Sequence, residues 1–365
     1  MQDVNVEGFQ LSPQQRHLWS LARYVSSSAS PYCARAIVRI RGDVDVSALR
    51  AALDQLPARH EILRTTFFAP EEIAMPLQVI APSSERVPGV SLTLTTSSTT
   101  GHLLTIEAPA LLCDAQGLHA LVADLTATYE AHVGAVPRPY EGIQYADAAI
   151  WLNDLLESPE AEAGRHFWKE KDVRHALDAR LPFDHSTGAA APFDPKHVPV
   201  RLDPASVADA RRSCARAQTT IEIFSLACWQ ALIQRFLEND QVVVGYVASG
   251  RGYPEIHQAV GLFARGLPLA GDLPRETPFD EALTRLNHMV RDSQQWCECF
   301  DWRNLPQATP FIPITFEFCE RPGRYLAGGV EFEIEDACSM IDRFRLRLSC
   351  EGSSDDISSI RIDYD

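Results

Sequence analysis

Two stretches on either side of the middle of the chain follow one plan: a helix-period pattern of apolar residues, then a β-branched or aromatic run. The first, DVSALRAALDQLPARHEILRTTFF, begins at Asp45, a side chain suited to cap a helix. It places Leu49, Ala52, Leu53 and Leu56 on one helical face. Pro57 falls near the end of that face, and ILRTTFF after it reads as a strand. In the second, Asp203 caps a helix with Pro204 at its first position, and Thr220 opens the apolar helix IEIFSLACWQALIQRFL. QVVVGYVAS then reads as a buried strand. Such helices and strands can bury their apolar faces only by packing on one another in layers, so the pattern restricts the chain to an α/β fold.

Further strands are expected around LQVIA, VSLTLTT and HLLTIEA, with a helix from Gln116 to about His132. Residues 181 to 204, LPFDHSTGAAAPFDPKHVPVRLDP, are rich in Pro, Ala and Asp and read as an extended connection. The expected organisation is two α/β lobes of similar build, residues 1–180 and 181–365. A length of 365 residues accommodates two domains of common size, and the cleft between them is the default ligand site.

The net charge of −16, from 33 basic and 49 acidic residues, would repel a phosphate backbone and argues against nucleic acid as a partner. A local basic patch could still receive an acidic carrier protein. No apolar run reaches the length of a membrane span, and MQDVNVEGFQ lacks the basic start and apolar core of a secretion signal. The expectation is a soluble, cytoplasmic protein without a membrane partner. Nine scattered cysteines, odd in number and without CxxC pairs at zinc spacing, point to reduced thiols and no metal site.

The stretch IEAPALLCDAQGLHALVADL, residues 106–125, reads as strand, tight loop and helix, a geometry that delivers side chains to a cleft. Its loop, Pro109 to Ala115, offers only Cys113 and Asp114 as polar groups. Asp114 sits where the helix needs an N-cap. A nucleophilic Cys113 would need a base to depress its pKa. Neither His102 nor His119 is placed by local geometry to supply one, so a packed thiol is expected.

The segments LSPQQRHLWSL from Leu11, RHEILRTTF from Arg59, VVVGYVASGR from Val242 and VGLFARGLPL from Val260 occur in the order and rough spacing of a known family. Through them the chain resembles, over essentially its whole length, the condensation domains of nonribosomal peptide synthetases. The resemblance implies two chloramphenicol-acetyltransferase-like lobes in a V around a central tunnel, where the phosphopantetheine arms of two carrier proteins meet. It also implies an HHxxxDG loop at the meeting point. Its aspartate falls on Asp114, its histidines on Pro109 and Ala110, and its glycine on Ala115.

Neither Pro109 nor Ala110 can accept a proton, so the resemblance implies no catalytic residue in this loop. Cyclisation domains, whose motif starts with aspartate, are not matched at Pro109 either. By the same resemblance Arg59 and Arg64 should brace Asp114 in a salt-bridge network, Arg64 foremost. Where the family reads about GLFVNTLPLR, this chain has GLFARGLPLA. Arg265 and Gly266 replace Asn-Thr, and Ala270 replaces arginine. These three should line the tunnel, with Arg265 able to grip a carboxylate or a pantetheine phosphate.

The function so implied is a condensation-like interface without condensation chemistry. It would bind a peptidyl carrier protein or recruit a tailoring oxygenase, beside an adenylation domain, and its only cofactor-like ligand would be the carrier's phosphopantetheine arm. The alternative is a divergent condensation or cyclisation domain, an amide-forming acyltransferase that joins two thioester-bound substrates by proximity. A stand-alone acyltransferase using coenzyme A is a weaker reading, because such enzymes also need the missing histidine.

Overall fold

The computed structural model describes residues 8–22, 30–69, 75–82, 87–97, 101–134, 139–171, 181, 193–237, 242–269, 273–274, 276–302, 311–320 and 324–365. Strand β1 (Gly8–Gln10) leads into helix α1 (Pro13–Ala22) and strand β2 (Cys33–Arg41). On β2, Ala34, Ala36, Val38 and Ile40 are fully buried, while Arg35, Arg39 and Arg41 alternate with them on the other face. That period of two makes it a strand with one wet side.

Helix α2 (Val46–Arg59) is capped by Asp45, whose side chain accepts from Ala48 N, and it buries Leu49, Ala52, Leu53 and Leu56. The expected strand ILRTTFF is shorter than its composition suggests. Glu61–Arg64 forms a 3-10 turn, and only β3 (Thr65–Phe68) is extended. Ile62 and Leu63 are buried within that turn, so packing overrides their β propensity.

Strands β4 (Leu77–Ile80), β5 (Ser91–Ser97) and β6 (Gly101–Pro109) follow, then α3 (Ala115–His132), α4 (Tyr145–Glu157) and α5 (Ala161–Glu170). After β7 (Lys196–Val200) come α6 (Pro204–Ala217), α7 (Ile221–Leu237), β8 (Val244–Ala248), β9 (Arg265–Leu269), α8 (Phe279–Gln295) and β10 (Ile314–Glu320). The last strands are β11 (Tyr325–Ala327), β12 (Val330–Ser339), β13 (Leu346–Gly352) and β14 (Ile357–Tyr364).

Among the described residues these strands form a small sheet β1-β4-β3, a sheet β11-β12-β2-β6-β5 and a sheet β7-β14-β13-β10-β8-β9. Each of the two larger sheets packs its helices into a separate apolar core. The chain is therefore a mixed α/β protein.

The cores do not divide the chain at 180/181. Strand β12 pairs antiparallel with β2 of the first sheet, although it lies far along in sequence, and Ala161 and Trp168 of α5 belong to the second core. The reason lies in β10 and β13, which are parallel neighbours and therefore need a long crossover. The chain uses that crossover to add β11 and β12 to the other sheet. The connection expected at 181–204 also changes in part. Residues 182–192 lie outside the described residues, but Lys196–Val200 is an edge strand paired with β14. Pro199 is tolerated there because an edge strand has one side free of ladder bonds. No helix among the described residues is long and apolar enough to cross a membrane.

Candidate functional site

The loop from β6 to α3 is held against residues 259–264, which precede β9. Ala259, Val260, Leu262 and Phe263 are buried in the first core, whereas β9 belongs to the second sheet. Close approach requires small residues on both sides. A Cβ on Gly117 would come within 2.7 Å of Cys113 Sγ and 2.8 Å of Gly261 O, and a Cβ on Gly261 would lie 1.9 Å from the Tyr145 ring.

Asp114 is the hinge pin of this contact and is 1% exposed. Its Oδ1 accepts from Gly117 N at 2.7 Å, which caps α3. Its Oδ2 accepts from Arg251 Nη1 at 2.9 Å, Phe263 N at 2.8 Å and Ala264 N at 2.9 Å. The backbone of Asp114 donates to Gly261 O. With three donors on one oxygen, the carboxylate has no capacity left to take a substrate proton.

The salt-bridge network expected from sequence is therefore not the one present. Arg59 pairs with Asp124 at 2.6 Å, which His60 also contacts at 2.8 Å, and Arg64 binds Glu61 and the Ala81 carbonyl. Burial alone would raise the Asp124 pKa, but the hydrogen bonds from Arg59 and His60 hold it down at about 2. The partner of Asp114 is Arg251, 7% exposed and stacked over the Phe263 ring at 4.7 Å.

Arg251 closes the run VVVGYVASGR, so the residue was visible in the sequence. Its reach was not, because it depends on the turn at Gly250. There φ is +64°, and a Cβ would collide with Phe263 O at 2.0 Å.

Ala110 is fully buried, and its N–H donates to Tyr32 O; Pro109 ends β6 and Ala115 starts α3. Cys113 is fully buried too, and burial pushes its thiol pKa well up. Its Sγ lies 3.3 Å from the Asp114 carbonyl. His119, pushed down to about 4 by burial, makes no hydrogen bond among the described residues. The loop thus holds no nucleophile–base pair.

A cavity of about 490 Å³ is lined by Leu262 and Ile341 of the first core and by Cys299 and Phe300 of the second, and none of residues 109–115 is in its lining. Arg265 and Gly266 line it; Ala270 lies outside the described residues. Arg265 is buried, and its Nη1 donates to the carbonyls of Cys297 and Glu298 at 2.6 and 3.2 Å and to that of Phe300. It therefore ties β9 to the turn after α8 instead of offering a free guanidinium.

Sequence reasoning missed a second polar group here. His17 Nε2 lies 3.1 Å from Asp342 Oδ1, and the imidazole stacks on Trp302 with ring centres 4.8 Å apart. The two residues are 325 positions apart, so no local pattern could join them. No cluster of side chains suited to a metal ion occurs among the described residues.

Two packed α/β cores, joined through a strand–loop–helix element, both contribute to the lining of this cavity. Solved structures share this fold. SgcC5 from Streptomyces globisporus superposes with a TM-score of 0.81 at 20% identity, over 97% of this chain and 92% of that one. The X-domain in its complex with OxyB, from teicoplanin biosynthesis, superposes with a TM-score of 0.74 at 23% identity, over 98% and 88%.

The sequence matches the family described as "Condensation domain" over residues 6–88 and 85–297, and the chain belongs to that family. Malpibaldin synthetase from Mortierella alpina is 26% identical over 323 residues, which is 79% of this chain but 6% of the synthetase. The chain spans under a tenth of the length of the curated relatives it matches.

Proposed function

We propose that this chain is a condensation-like domain of a nonribosomal peptide synthetase that has given up condensation chemistry and serves as an interface. In this reading the two cores are the two acetyltransferase-like lobes. The boundary expected at 180/181 is modified by the exchange of β11–β12 and α5, and the cavity is the tunnel between the lobes. A peptidyl carrier protein delivers its phosphopantetheine arm to that tunnel. An adenylation domain lies alongside in a cytoplasmic synthetase, and a tailoring oxygenase docks on the outside. The X-domain relative, whose solved complex contains OxyB, supports the last element.

The observation that carries the proposal is the state of the motif loop. Pro109 and Ala110 stand where the family's histidines fall, and the carboxylate beside them is saturated by four donors. Nothing there can take the proton from an attacking amine. The test supplies purified protein with donor and acceptor carrier proteins, each loaded with an aminoacyl thioester. Expected are no dipeptide above the uncatalysed background and saturable binding of a loaded carrier protein.

One observation favours the alternative, a divergent condensation or cyclisation domain: His17, oriented by Asp342, faces the cavity. Dipeptide formation by the unmodified chain, abolished in His17→Ala, would establish that alternative and overturn the interface reading.

A further inference from the structure

Away from the cavity, helix α4 exposes apolar surface that the fold does not use. Its inner face, Ala148, Ala149 and Leu152, is fully buried in the first core. Its outer face carries Asp147, Ile150, Asp154 and Glu157, all exposed, at the spacing of one helical stripe. Ile150 is 42% exposed, and its neighbour Trp151 is only partly covered by the core. The Trp151 ring meets that of Tyr253 edge-on, with centres 4.7 Å apart, and Tyr253 is itself 37% exposed. Trp151 thus adjoins both Ile150 and Tyr253, and the three make an apolar island on a chain of net charge −16.

Tyr253 is held in place from both sides. Before it, Arg251 is buried and tied to Asp114; after it, Ile256 is buried in the first core. The Ile256 N–H donates to Tyr253 O at 3.1 Å and closes a 3-10 turn over Pro254–Ile256. The motif loop, without proton chemistry of its own, therefore still positions a surface aromatic through Arg251. An aromatic side chain presented on a rigid turn needs little ordering on association, which suits it to anchor a protein interface.

The rim of the island is acidic. Asp147 and Asp154 stand one turn before and one turn after Trp151, Glu157 continues the stripe, and Glu255 is two residues past Tyr253. None of these four carboxylates forms an ion pair among the described residues. The arginines that contact α4 are engaged: Arg16 donates to Leu11 O and Asn153 Oδ1, and Arg165 donates to Leu156 O and Glu162. His257, also exposed, lies beyond Glu255. Unpaired carboxylates beside aromatic faces attract a guanidinium or ammonium twice over, by charge and by the ring quadrupole.

We propose that the α4–Tyr253 face is a docking surface for a partner protein whose matching surface sets Arg or Lys side chains around an apolar residue. Trp151 and Tyr253 are the anchors, with Ile150 beside them. Asp147 and Asp154 select the sign of the partner's charge, so an acidic carrier protein is repelled from this face. The inference rests on the interface reading, to which it adds the face used and the chemistry of the partner.

The experiment follows the fluorescence anisotropy of a labelled amphipathic helical peptide of Lys, Leu and Ala, and of its twin with Glu for every Lys. Salt is held at about 0.15 M, where attraction between exposed charges beyond roughly 8 Å is screened. The Lys peptide should bind saturably and the Glu twin should not. Tyr253→Ala should weaken the Lys peptide about tenfold or more, and Asp147→Asn with Asp154→Asn about threefold or more. Glu130→Gln with Glu276→Gln removes the same charge from exposed residues outside the patch and should leave the affinity unchanged. Melting curves accompany every variant, and Ile150→Ser replaces Tyr253→Ala if that variant does not fold. A Lys peptide that does not bind overturns the proposal, as do equal losses in the two charge pairs, equal binding of the twins, or full affinity in Tyr253→Ala. Dipeptide formation in the condensation assay would sink the interface reading alone, whereas any of these four results in a condensation-silent protein would sink the basic-partner surface alone.

Discussion

At the scale of the residue, Asp114 carries two tasks with one carboxylate. Oδ1 caps α3, and Oδ2 binds the arginine and backbone that arrive from residues 251–264. Both it and Arg251 are out of water, so each charge depends on the other. Asp114→Asn leaves Arg251 buried without a counter-charge and turns an amide donor or a weaker acceptor toward Phe263 N and Ala264 N. The expected loss is about 3–5 kcal/mol, read as a lowered urea midpoint. Arg64→Ala is the informative comparison. Arg64 bonds Glu61 and Ala81 instead, in a partly exposed pair, so its removal should cost about 1 kcal/mol or less. Equal losses in the two variants would mean that Asp114 draws its stability from elsewhere. Asp114 as an N-cap was legible in the sequence because capping is local. Its ionic partner was not, because Arg251 lies 137 positions away and no local pattern joins the two, whereas the resemblance pointed to Arg64.

At the scale of the element, α3 and residues 259–264 approach so closely that neither can carry a side chain at the crossing. Helix α3 has Gly117 in its first turn, facing Gly261, and Tyr145 of α4 covers the other side, its hydroxyl donating to Leu262 O. A methyl group at position 261 meets the Tyr145 ring at 1.9 Å, and that ring is fully enclosed. Gly261→Ala should therefore cost at least about 1–3 kcal/mol, the scale of an overpacked core, whereas Gly252→Ala should cost little. A Cβ at Gly252 meets nothing within 4 Å. Thermal unfolding of the two variants side by side checks this, and a Gly261→Ala protein as stable as wild type would mean the crossing can open. The same contact explains why β9 begins where it does. The chain can join the second sheet only after Ala264 has finished its hydrogen bond to Asp114.

At the scale of the whole molecule, the two cores are mutually dependent, because the first sheet includes β11 and β12 from the far end of the chain. Residues 1–180 alone would leave β2 as an edge with Ala34, Ala36, Val38 and Ile40 short of cover. They would also strip Arg35, Arg39 and Arg41 of the carboxylates on Glu331, Glu333, Glu335 and Asp336. A fragment of residues 1–180 should therefore lack a cooperative unfolding transition by circular dichroism and recover one when co-expressed with residues 181–365. A cooperative transition in the isolated fragment would contradict this dependence. What the sequence determined by itself was whatever local periodicity and capping encode. Asp45, Asp114 and Asp203 were legible as helix starts, the faces of α2 and α7 as buried, and Pro109 and Ala110 as incapable of proton transfer. The tertiary structure alone decided which sheet β12 joins, that Arg251 and not Arg64 meets Asp114, and that His17 and Asp342 share a cavity. These are contacts between residues far apart in sequence, and a chain specifies such contacts only through the joint packing of all its layers.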